Sequence, residues 1–97
     1  MNDEQLMRNL QSVGKSCFVK YFDEFASPTT SREDVIKKLM SESDYTEKSC
    51  VSRTSHARSI IAAGLAEKAL KKIVSSDSPL VPRETREKAN ELLKMYN

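Results

Sequence analysis

Tryptophan is absent from this chain, histidine occurs once, and cysteine and glycine occur twice each, so several classes of chemistry have almost nothing to work with. Any catalytic pair built on histidine must use His56, and its helix partners, Ser52, Ser59 and Ser55, bring no acid to orient the ring. Two cysteines, Cys17 and Cys50, cannot make a zinc-finger spacing, and Cys50 and His56 point about 120° apart on one helix, which excludes joint ligation. Both cysteines fall on apolar helix faces and read as small buried hydrophobes of a reducing compartment. The two glycines, Gly14 and Gly64, are too few for a glycine-rich phosphate loop. Val13-Gly14-Lys15-Ser16 has the tail of such a loop without its upstream glycine or its preceding strand. An enzyme is therefore not expected, and neither is a metal, a cofactor or a small-molecule substrate.

Long apolar runs are missing too. No stretch approaches the roughly 18 residues that span a bilayer, and the opening segment MNDEQLMRNL carries acids and no apolar signal region. The expectation is a chain with neither membrane anchor nor signal peptide, located in the cytoplasm. With three Tyr, three Phe and no Trp, the core falls mainly to Leu, Ile, Val, Ala and Met. Ninety-seven residues allow one domain, 1–97, with a modest core that self-association would supplement.

What is present is helical period. Leu6, Leu10, Val13, Cys17 and Tyr21 recur at steps of four and three behind Asp3 as a cap, with Phe18, Phe22 and Phe25 widening the stripe and Gly14 as a point of close approach or a break. Ser31, with Asp34 three residues on, opens a second helix through Val35, Ile36, Leu39 and Met40. After a polar connection, Ser41–Tyr45, Thr46 (or Asp44 with Glu47) caps a third, running to Ala63 with Gly64 as its left-handed stop. A fourth covers 65–75. Pro82 then stands as first residue of a last helix whose apolar side is Ala89, Leu92, Leu93 and Tyr96. No segment alternates with period two, so the expected fold is all-α, a compact bundle of about five helices. Leu10, Val13, Cys17, Ile36, Leu39, Val51, Ile61, Leu70 and Ile73 are its expected core.

One scarcity is local. From Lys48 to Ala66 there is no Asp or Glu, although 14 acids are spread over 97 residues. Chance alone empties a given window of that length about one time in twenty, so its place on the third helix gives it meaning. The net charge of +2 is too small to mark a polyanion binder, but residues 48–72 hold six basic groups against Glu67, a local balance of +5, which raises anion concentration nearby. On the helical wheel Cys50, Thr54, Ala57 and Ile61 face one way, flanked by Val51 and Ile60. Lys48, Ser52, Ser55, His56 and Ser59 face the other, and Arg53 and Arg58 stand at the borders, placed to reach out.

Short helix, polar turn and longer basic helix give the order of a helix-turn-helix pair. The eight residues Val51-Ser52-Arg53-Thr54-Ser55-His56-Ala57-Arg58 look like recognition helices of helix-turn-helix proteins, although the connection before them lacks the turn glycine. The implied function is a small DNA-binding protein, a transcriptional or other DNA-associated regulator. Its contacts would be Lys48, Ser52, Arg53, Ser55, His56, Arg58 and Ser59 in a groove and Lys68, Lys71 and Lys72 on phosphate. A homodimer through residues 82–97 would set two such helices at a fixed separation. The alternative from the same residues is a helical protein-interaction module, an adaptor or inhibitor, with no nucleic acid involved.

Overall fold

The computed structural model describes residues 1–96 and places seven α-helices among them: α1 (Asp3–Val13), α2 (Lys15–Lys20), α3 (Phe22–Ala26), α4 (Arg32–Glu42), α5 (Glu47–Ala62), α6 (Ala66–Val74) and α7 (Arg83–Leu93). A short 3-10 turn, Lys94–Tyr96, follows α7. Asn97, the last residue of the expected domain and of the expected self-association segment, lies outside the described residues.

The first apolar stripe folds into three helices instead of one or two. A straight helix over residues 3–26 would be about 36 Å long, and the longest axis of the molecule is 30 Å. The chain turns first at Gly14, whose φ of 88° favours glycine, and again at Tyr21, where φ −108° and ψ 21° leave helical geometry. The bends gather the aromatic residues into one cluster. Phe18 meets Phe22 edge-on at 5.6 Å and stacks near Phe25 at 6.5 Å, and Tyr21 meets Phe25 at 6.5 Å.

Caps locate the helix starts. Asn2, one residue before the expected Asp3, caps α1: its side chain accepts from the Gln5 N–H at 2.8 Å while Gln5 Oε1 accepts from the Asn2 N–H at 2.9 Å. The Ser31 hydroxyl accepts from the Asp34 N–H at 3.1 Å to open α4, and Thr46, rather than Asp44, accepts from the Ser49 N–H at 3.1 Å to open α5. Pro82 precedes α7 instead of entering it. The α4–α5 connection is residues 43–46 and closes without a glycine. Ser43 Oγ donates to the Leu39 carbonyl at 2.5 Å and accepts from the Tyr45 N–H at 3.2 Å, so one hydroxyl serves both sides of the turn. Gly64, at φ 75°, stops α5 in a Schellman arrangement, with Leu65 N–H on the Ile60 carbonyl and Gly64 N–H on the Ile61 carbonyl.

Helix α5 is the hub. It packs most extensively on α1, then on α4 and α3, while α7 lies over α6 and α2. Leu10, Val13, Cys17, Leu39, Leu70 and Ile73 are buried as expected, but Ile36, Val51 and Ile61 are only partly so. In α5 the buried set is Cys50, Thr54, Ala57 and Ile60. The inward direction is rotated toward Ile60, and Val51 and Ile61 are left partly exposed. No described helix is long and apolar enough to cross a membrane.

Candidate nucleic-acid interface

The residues expected to contact nucleic acid separate into three groups. Lys48 and Ser59 are exposed on the outward side of α5, and Ser52, Ser55 and His56 beside them are half-buried. Local bonds organise this face. His56 Nδ1 donates to the Ser52 carbonyl at 2.7 Å, which fixes the ring along the helix and leaves Nε2 as its uncommitted nitrogen. Ser59 Oγ donates to the Ser55 carbonyl at 2.9 Å, and Ser55 Oγ accepts from Arg32 Nη2 at 3.2 Å. Arg32, the first residue of α4, thus adds a cation that the count over residues 48–72 had no means of finding.

Arg53 and Arg58 form the second group and turn inward, against the expectation that their guanidinium groups reach out. Arg53 Nη1 donates to the carbonyl of Val13, the last residue of α1, at 2.5 Å, and its Nε donates to Ser49 Oγ at 2.9 Å. Its guanidinium carbon lies 3.8 Å from the centre of the Tyr45 ring. Arg58 Nη2 donates to the Thr30 carbonyl at 2.6 Å and the Glu24 carbonyl at 3.3 Å. Val13 and Glu24 belong to the final turns of α1 and α3, where carbonyls are incompletely paired (Glu24 accepts only a 3.4 Å bond from the Ser27 N–H) and the helix end is negative, so a cation on the adjoining face of α5 is drawn there. Both arginines therefore tie α5 to earlier helices.

Lys68, Lys71 and Lys72 form the third group, on α6. Lys68 pairs with Asp3, whose exposed carboxyl it holds below the ordinary range through a hydrogen bond and its charge. Lys71 lies 3.9 Å from Glu67, and Lys72 has no acid partner among the described residues. Together with Lys15 of α2 and Ser76 they line a cavity of about 500 Å³ to which α5 contributes no residue. The α6 lysines and the α5 face are thus two separate features. No family model, curated protein or solved structure matches the chain.

Around these groups the chemistry is quiet. Cys17 and Cys50 are free and buried, and burial pushes both thiols up, against the opposing charge of Arg53. No group of three His, Cys, Asp or Glu side chains that could hold a metal occurs among the described residues. The Tyr21 hydroxyl and Thr54 Oγ1 are buried without partners among the described residues.

One ion pair sets a pH dependence. Burial raises the Glu24 carboxyl, but the hydrogen bond from Lys38, a backbone bond and the nearby lysine charges outweigh it, so the group is held below its ordinary 4.5. A carboxylate depressed on folding contributes stability that is complete above the unfolded value and is lost as pH falls through the folded one. Urea midpoints of the parent are expected to drop below pH about 4.5, and Glu24→Gln is expected to flatten that part of the curve. Parallel curves for the two proteins would place the acid sensitivity elsewhere.

Proposed function

We propose that the protein is a small DNA-binding module, a regulator in the manner of helix-turn-helix proteins, that presents α5 to a duplex groove. The observation that carries this reading is the outward face of α5. Over Lys48–Ala66 no acid repels phosphate, and the side chains on that face, Lys48, Ser52, Ser55, His56 and Ser59, are a cation, an imidazole and three small hydroxyl groups that allow close approach. Two further features favour it: α4 joins α5 through four residues, 43–46, and Arg32 stands beside Ser55 to hold backbone phosphate. Arg53 and Arg58 take no direct part in this reading and serve by holding α5 in place. Pairing of two copies through residues 82–97 would have to rely on Met95 and Tyr96, because Leu92 lies in the chain's own core and Leu93 packs against it.

The test is titration of fluorescent duplex DNA at several salt concentrations. The parent is expected to bind with a slope of log affinity on log salt of about −0.9 for each phosphate neutralised. Lys48→Ala is expected to reduce that slope by about one unit. Ser59→Glu, at an exposed position, is expected to weaken binding about tenfold or more, a cost of about 1.4 kcal/mol, by setting a carboxylate against phosphate. Absence of salt-dependent binding by the parent would leave the protein-interaction module as the better reading, as would variants that bind like it.

A further inference from the structure

We propose that the cavity between α6 and the α1–α2 junction is a binding site for a phosphomonoester, taking its terminal dianionic phosphoryl group. It stands apart from the α5 face and holds whether or not that face meets DNA.

Four lysines from two elements line one opening of about 500 Å³: Lys68, Lys71 and Lys72 from α6, and Lys15 from the start of α2. They are not loosely scattered. Lys15 Nζ donates to Ser76 Oγ at 3.2 Å, which ties the start of α2 to the chain just after α6 and fixes one ammonium across the opening from the others. The opening is a broad, solvent-facing depression larger than a phosphoryl group alone, so the remainder of an organic phosphate has room.

Charge selects the ligand. Of the four ammonium groups, Lys68 is offset by Asp3 and Lys71, at 3.9 Å, by Glu67, which leaves four minus two, or two positive charges, on Lys15 and Lys72. A phosphomonoester carries about −1.5 to −2 at neutral pH and matches that balance, whereas each diester of a nucleic-acid backbone carries a single charge. Arg86 of α7, which donates to the Ser76 carbonyl at 3.0 Å, adds a further cation behind the loop. The carbonyl end of α6 lies at the same place and opposes an anion. Two of its carbonyls are engaged: Ser75 N–H and Ser75 Oγ both bond the Lys71 carbonyl, and Ser76 N–H bonds the Ile73 carbonyl. The lysines therefore have more charge to offer than closing the helix requires.

The experiment is an amide NMR titration of the full chain at constant ionic strength with four probes: orthophosphate, a nucleoside 5′-monophosphate, the same nucleoside without phosphate, and a short oligonucleotide with internal diesters and a 5′-hydroxyl. Saturable shifts at Lys15 and residues 68–76 are expected with both monoester-type probes and not with the bare nucleoside. Tighter binding of the nucleotide than of orthophosphate identifies an organic phosphate as the ligand, and equal binding identifies the free ion. Affinity is expected to rise as pH passes about 6, where the second phosphate proton leaves.

Lys72→Gln removes an ammonium that makes no hydrogen bond or ion pair among the described residues and is expected to weaken binding about tenfold. Asp3→Asn, which frees Lys68, is expected to tighten it several-fold. The opposite signs separate a charge-built site from general loss of fold, and each variant's unshifted amides elsewhere report that fold. The proposal is overturned if no monoester saturates, if the oligonucleotide binds as well as the nucleotide, or if Lys72→Gln and Asp3→Asn both leave affinity unchanged.

Discussion

Arg58→Ala is expected to unfold at a clearly lower urea concentration than the parent, with a loss of about 2–4 kcal/mol. The guanidinium is half-buried and supplies hydrogen bonds to two backbone carbonyls distant in sequence, Thr30 at 2.6 Å and Glu24 at 3.3 Å. Truncation leaves the Thr30 carbonyl without this donor and the Glu24 carbonyl with the Ser27 N–H at 3.4 Å, and the cost of an unsatisfied buried group exceeds the net gain of making the bond. The aliphatic stem adds lost packing between α3 and α5. Against this stands relief of one existing defect, since Arg58 Nε is buried with no partner among the described residues. That relief offsets about 1–3 kcal/mol at most and does not remove the loss of two charge-assisted bonds. Arg58→Lys is expected to fall between parent and Ala, because an ammonium has donors for the carbonyls that the parent serves from Nη2 alone but does not fill the place of the planar guanidinium. A parent-like midpoint for Arg58→Ala would show that the guanidinium is free in solution and return it to the α5 recognition face.

Much of the fold was legible in the sequence because helix signals are local. Ser31 and Thr46 as caps, Gly64 as a stop and the apolar spacing of Leu6, Leu10 and Val13 all depend on residues within one or two turns, and each is realised. The breaks at Gly14 and Tyr21 were harder to read, since a continuous stripe supports a continuous helix until the size of the molecule forbids it. The candidate site was less legible for a related reason. A helical wheel gives the direction in which a side chain leaves its helix but not what meets it there. Arg53 and Arg58 stand at the border of the apolar arc, and the carbonyls of Val13, Thr30 and Glu24 decide which way they turn. Lys15 lies 53 residues before Lys68 and shares no motif with it. The packing of α1 against α6 and the Lys15–Ser76 hydrogen bond bring it to the α6 lysines, and no charge count along the chain contains that fact.

Gly14→Ala is expected to cost about 2–4 kcal/mol, and part of that cost, about 1 kcal/mol or more, is expected to disappear when Arg53 is also removed. Two contributions are involved. With φ 88° and ψ 129°, Gly14 occupies backbone space that residues with a Cβ rarely enter, a strain of about 1–3 kcal/mol that depends on nothing else. A Cβ at this position would also stand 2.9 Å from Arg53 Nη1, inside any ordinary contact distance. A long side chain could normally swing away, but this one is held by the Val13 carbonyl, by Ser49 and by the face of Tyr45. Moving it gives up a charge-assisted bond and a cation–π contact worth about 0.5–2 kcal/mol, and leaves the Val13 carbonyl without its donor at the end of α1. Arg53→Ala gives up the same interactions directly, so the second substitution cannot lose them again. Urea unfolding of the parent, both single variants and the double variant closes the cycle. The double variant is expected to be more stable than the sum of the single losses predicts by about 1 kcal/mol or more. Additive losses would mean that Gly14 is required for its backbone angles alone and that Arg53 has room to adjust. A coupling of the expected size would identify the missing Cβ at Gly14 as the opening through which α5 is fastened to the end of α1.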